Sequence, residues 1–166
     1  MPAVKRDFNI ASLVNNYGCF DLQFRKDTRH ERTNSPVYYR WKAQFVVTSS
    51  KENSKILEKI KKGIGCGKIT ISRDQARFSV QSIGDITGSV VPFFRRNCLA
   101  EKKKKDFELW SKGVEIIQRN KGKYLASWKK NELLSLIEIH KSSAKYKNKP
   151  RAPKWLEMAK VLSKTT

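Results

Sequence analysis

The stretch Cys19-Phe20-Asp21-Leu22-Gln23-Phe24-Arg25 alternates without a break. Phe20, Leu22 and Phe24 fall on one side and Asp21, Gln23 and Arg25 on the other, the period-two pattern of a strand with one dry and one wet face. After a polar loop over residues 26–36 the pattern returns. Tyr39, Trp41, Ala43, Phe45 and Val47 alternate with Arg40, Lys42, Gln44 and Val46, which predicts the second strand of a long-looped hairpin. Farther on, Ile69 and Ile71 alternate with Lys68, Thr70 and Ser72, a turn is expected over residues 73–75, and Phe78 and Val80 alternate with Arg77, Ser79 and Gln81. That predicts a second hairpin.

Helical periods flank and separate the hairpins. Residues 8–16, with Phe8, Ile10, Ala11, Leu13 and Val14, predict a helix of about two turns stopped by the asparagines and Gly18. Ser50 is expected to cap a helix over residues 52–63 with Ile56, Leu57, Ile60 and Ile64 on one face, ended by Gly63, Gly65 and Gly67. A helix is expected around residues 85–94, interrupted by Pro92, which suits the first turn of a new helix but not a helix interior. Phe107, Trp110, Val114 and Ile117 predict an amphipathic helix over residues 103–119. Leu133, Leu134, Leu136, Ile137 and Ile139 predict another over residues 131–140, and Trp155, Leu156, Ala159 and Leu162 a last one after Pro153. Residues 141–154 read as a basic, proline-punctuated connector. The fold class is therefore α+β, an antiparallel sheet with helices on one face, because both hairpins have a single dry side to bury. The organisation expected is a nucleic-acid-binding domain over residues 1–120 and a basic helical extension over residues 121–166.

Charge indicates the partner. The 166 residues carry 36 Lys plus Arg against 15 Asp plus Glu, a net +21, which suits a protein that works against a polyanion. Nucleic acid is the leading partner, and no membrane association is expected. No apolar run is long enough to span a bilayer, and residues 1–9 lack the apolar stretch of a secretory signal. Cys19, Cys66 and Cys98 lie far apart without a C-x-x-C pair, so neither a disulfide framework nor a zinc site is supported. An intracellular, reducing location is expected, either an organelle (mitochondrion or chloroplast) or a bacterial cytoplasm. With only His30 and His140, a His-rich metal centre or a Ser-His-Asp triad has little to build on, and neither histidine is given a role. The wet sheet face is the candidate binding surface: Gln23, Arg25, Arg40, Lys42, Gln44, Lys68, Thr70, Ser72, Arg77, Ser79 and Gln81, with Asp21 as its single acid.

Ile10-Ala11-Ser12-Leu13-Val14-Asn15-Asn16-Tyr17-Gly18 aligns without a gap on the nine-residue signature of the LAGLIDADG homing endonucleases, with Ala11, Leu13 and Gly18 identical. Cys19-Phe20 follows as in many members. The two hairpins, Gly65-Cys66-Gly67-Lys68-Ile69, Val91-Pro92-Phe93-Phe94 and Lys103-Lys104-Lys105-Asp106-Phe107-Glu108-Leu109 also resemble that family, over residues 10–118. The resemblance implies an αββαββα saddle whose sheet lies in the major groove of DNA, here followed by C-terminal helices. It also implies that a single-signature chain pairs as a homodimer through its signature helix, with Ile10, Ala11, Ser12, Leu13 and Val14 as the interface. The alternative reading of those residues is a helix buried inside one monomer. A two-stranded ribbon fits the major groove and can offer Arg to guanine and Gln to adenine edges, while other cations hold phosphates.

The resemblance further implies cleavage by acidic residues, one at the eighth position of each signature, that hold divalent ions between the scissile phosphates. That position is Tyr17 here, and the sixth, often Asp, is Asn15. A neutral phenol cannot replace a carboxylate as a Mg²⁺ ligand. Tyr17 is expected to fill the gap at the helix end or to stack on a sugar or base. Asp21 is the nearest carboxylate, placed by the alternation on the wet face, as a base contact, a partner to an arginine, or a weak candidate for a displaced catalytic acid. The expectation is selective nucleic-acid binding, to DNA or to structured RNA such as ribosomal RNA, with a degenerate centre and no cofactor. A maturase-like or ribosome-associated role is the RNA version of that reading. The alternatives are an active endonuclease using Asp21 with Mg²⁺, and a protein-interaction module that presents the same face to an acidic protein.

Overall fold

In the computed structural model, which describes residues 9–28, 37–146, 159 and 161, the chain opens on α1 (Ile10–Tyr17), held at its start by the Asn9 side chain accepting from the Ser12 amide. Gly18 turns α1 directly into β1 (Gly18–Thr28). A Cβ there would lie 2.5 Å from a Val14 methyl, so this contact demands glycine. The hairpin closes with β2 (Val37–Ser50), and α2 (Ser54–Ile64) leads to β3 (Lys68–Ser72) and β4 (Gln75–Val80). The four strands form one antiparallel sheet in the order β1-β2-β4-β3.

Two local expectations need correction. Ser50 does not cap α2. Thr48, Ser49 and Ser50 continue β2 because they pair with Arg77, Ala76 and Gln75, and a 3₁₀ turn over Lys51–Asn53 separates the strand from the helix. Nor does Gly63 end α2, which runs to Ile64 and stops at Gly65, in the left-handed conformation at φ 93° that glycine adopts without strain. Pro92 sits in the first turn of α4 (Val91–Arg96), as its missing N–H requires. The chain reaches it from α3 (Ile83–Asp85) through a π-turn over Ile86–Val90, with no break.

The long helix α5 (Glu101–Arg119) crosses the dry face of β1 and β2, and α2 covers β2 and β4. Phe20 is the hub of the core. Its ring centroid lies 5.1–5.4 Å from those of Phe45, Phe94, Phe107 and Trp110. The α+β expectation, αββαββα with helices on one sheet face, is what the chain forms. The core continues past residue 120, since α6 (Lys130–Ala144) packs Leu133, Leu136 and Ile137 against α5, with Trp128 and Ala159 in the same cluster. At that junction the buried Asn120 amide donates to Glu132 at 2.9 Å, and the Arg119 guanidinium meets the same carboxylate. The Asn120 hydrogen bond, with Arg119 adding to it against the effect of burial, holds the Glu132 carboxyl below its ordinary value. Most of the helix expected after Pro153 lies outside the described residues.

Candidate nucleic-acid interface

Cross-strand pairing arranges the wet face in rows. Arg25 lies opposite Arg40, Gln23 opposite Lys42, and Asp21 opposite Gln44. Toward the other end, Cys19, Val46, Ser79 and Lys68 form one row and Thr48, Arg77 and Thr70 the next. Arg25, Arg40, Lys68, Thr70, Ser72, Arg77 and Gln81 are exposed, and Gln23, Lys42 and Ser79 are half-buried. The cations therefore occupy both ends of the sheet. A shallow depression of about 440 Å³ lies at the β3–β4 end, among Lys68, Thr70, Arg77, Ser79, Gln81 and Asp85.

Between those ends the polar side chains bond to one another. Asp21 accepts from the side-chain amides of both Gln23 and Gln44, the latter at 2.9 Å, and the Gln44 oxygen accepts from Arg77 at 3.5 Å. Lys42 donates to Gln81 at 3.0 Å. On the dry side, the Trp110 indole N–H donates to the Asp21 carbonyl at 2.9 Å, so residue 21 is fixed from above and below the sheet. Gln44 was expected among the outward-reaching residues but is only 6% exposed. Alternation gives the side of the sheet correctly and does not show that neighbouring rows close over a residue in its middle. Val46, of the same parity, is buried as well. Asp21 meets the arginine it was expected to partner only through Gln44.

The tip of α1 is the second part of the site. Tyr17 is 61% exposed, so it does not fill a gap within the chain. The Asn15 side-chain oxygen accepts from the Ala100 amide at 2.9 Å, and the Lys103 ammonium donates to the Gly18 carbonyl at 2.7 Å, tying the start of α5 to the end of α1. Ile10, Ala11 and Val14 are buried in the chain's own core, leaving Ser12 exposed and Leu13 half-buried among the five helix-packing residues.

This tip does not fit a Mg²⁺ site. A phenol and an amide stand at the tip, a lysine cation already holds the nearby carbonyl, and two amide donors point at the Asp21 carboxylate. Among the described residues no three His, Cys, Asp or Glu side chains gather as a metal would require. Sequence reading missed Lys103, which lies 85 positions from Gly18. It also missed Thr48 and Gln75, added to the face by the extra β2–β4 pairs.

Comparison with known proteins follows these features. The profile described as LAGLIDADG endonuclease matches residues 11–114. The structure of I-SmaMI bound to uncleaved DNA with calcium ions is similar, at 22% identity and TM-score 0.69 over 90% of this chain and 47% of that one. The crystal structure of the homing endonuclease I-TnaI is similar at 20% identity and TM-score 0.65, over 94% of each chain. The meganuclease I-AabMI bound to uncleaved DNA shows 21% identity and TM-score 0.64 over 90% of this chain and 46% of its own. The chain thus spans about half the length of I-SmaMI and I-AabMI. No curated protein matches it by sequence.

Proposed function

Since the chain belongs to the LAGLIDADG endonuclease family, we propose that it binds duplex DNA selectively through the wet sheet face and does not cut it. The observation that carries this is the contrast between the two parts of the site. The face keeps its cations and base-reading side-chain types, while the helix tip presents Tyr17, Asn15 and Lys103 where hydrolysis needs acids. A net charge of +21 supports a phosphate-bearing partner. Without carboxylates at the tip, the backbone meets less repulsion there, so the changes that remove cleavage favour binding.

DNA is preferred over RNA for a specific reason. Sequence-selective RNA recognition relies on unpaired bases stacked on aromatic rings. The Arg, Lys, Gln and Thr described on this face suit instead the hydrogen-bonding edges of a major groove. A maturase-like or ribosome-associated role corresponds to the opposite outcome in a competition experiment. A second copy is the proposed partner of α1, whose outward side offers Ser12, Leu13 and Asn16. Cys19, Cys66 and Cys98 are free thiols, as suits the reducing compartment proposed for the chain. Among the described residues no helix is long and apolar enough to cross a membrane.

The test is competition for the full chain between a randomised DNA duplex pool and folded RNA of the same length and salt. Preferential retention of DNA supports the reading. Exclusive retention of RNA would replace it with the splicing or ribosomal role, and retention of neither would leave the protein-interaction alternative.

A further inference from the structure

We propose that Asp21 reads a base, as a fixed acceptor for the exocyclic amino group of a cytosine in duplex DNA, with Gln23 and Gln44 as its positioning residues. This rests on the reading of the sheet face as a DNA surface and adds which side chain selects which base.

Asp21 is the one acid among the described strand side chains of the face, and it stands midway along the edge strand β1, half-buried. Both glutamine amides converge on the same oxygen, Oδ2, while Oδ1 accepts from no described residue. A carboxylate has about four acceptor sites, so capacity remains for a donor from outside. Gln44 is covered by its neighbours, and its carbonyl is turned toward Arg77, which fixes its amide toward Asp21. It has no reach left for a base. Together with the Trp110 contact below, this holds the carboxylate in one geometry before any ligand arrives.

The ligand follows from charge and hydrogen-bond direction. Phosphate oxygens, the guanine O6 and N7 and the thymine O4 are acceptors and are repelled by a carboxylate. The groove offers two donors, the amino groups of cytosine and adenine. Adenine sets its amino group beside the N7 acceptor, whereas cytosine presents its amino group without one, and a carboxylate pairs with cytosine N4.

The test is selection from a randomised DNA duplex library by the full-length wild type, Asp21→Asn and Gln44→Met at matched salt, with thermal unfolding run on each. The wild type is expected to select a cytosine at a position that depends on Asp21. In Asp21→Asn the two glutamine amides still need an acceptor, so the asparagine oxygen turns toward them and its NH₂ faces the groove. Preference at that position then moves from cytosine to a base with a groove acceptor, with cytosine discrimination falling roughly five- to 150-fold and the other positions unchanged. Gln44→Met is expected to weaken discrimination at the same position while low-salt binding persists, because Gln44 touches no base. If Asp21→Asn unfolds, this second variant decides. Salt-dependent binding by the wild type with no cytosine that responds to either variant overturns the proposal and leaves DNA binding intact. Absence of salt-dependent binding to the library overturns both.

Discussion

Replacing Arg25 and Lys68 together by glutamine separates binding from folding. Both side chains are exposed and lie at opposite ends of the sheet, Arg25 on β1 and Lys68 on β3. Arg25 also stands directly opposite Arg40, and like charges facing each other across a pair of strands destabilise it. Losing Arg25 should therefore leave stability unchanged or raise it by about 0.2–1 kcal/mol. If each cation neutralises one phosphate, each loss flattens log K against log salt by about 0.9, and two by about 1.8. Over a rise from about 50 to about 200 mM salt, the double variant then loses roughly twelvefold less affinity than the wild type does. Fluorescence anisotropy with a labelled duplex at several salt concentrations reads the slope, and thermal unfolding checks the fold. An unchanged slope with an intact fold would refute the claim that this face meets phosphates.

Phe20→Ala removes the ring at the centre of four aromatic neighbours and is expected to cost about 3–5 kcal/mol, measured by denaturant unfolding. Tyr17→Ala, at an exposed position, is expected to leave stability within about 0.5 kcal/mol while weakening DNA binding, measured by unfolding and anisotropy on one preparation. The Glu132 carboxyl is held below its ordinary value near 4.5, so its contribution to stability is fully present above that value and is lost as pH falls through the lowered one. Glu132→Gln should flatten the acid limb of a stability–pH curve, and an unaltered limb would show that the contacts of Glu132 with Asn120 and Arg119 contribute nothing.

The elements most legible in the sequence were those with one dry side. Phe20, Leu22, Phe24, Phe45, Phe78, Trp110 and Val114 all point into the core that their periodicity implied. Strand ends were less legible, because Thr48 to Ser50 belong to β2 through pairing with β4, a partner distant in the chain. Within the site, parity assigned each side chain to a face but not its freedom. Gln44 lies on the expected side yet is spent on Asp21 and Arg77, and this depends on three strands meeting. That Tyr17 and Asn15 carry no carboxylate could be read from residue types alone. The Lys103 contact with Gly18 could not, since its sequence neighbours Lys102, Lys104 and Lys105 look the same and only the crossing of α5 over β1 selects it.

The most direct test is to incubate the full chain with its selected duplex in Mg²⁺ and separately in Mn²⁺, then follow complex and strand integrity on paired native and denaturing gels. A shifted complex whose two strands both stay whole is the expected result. Metal-dependent scission of both strands within the bound site would contradict it.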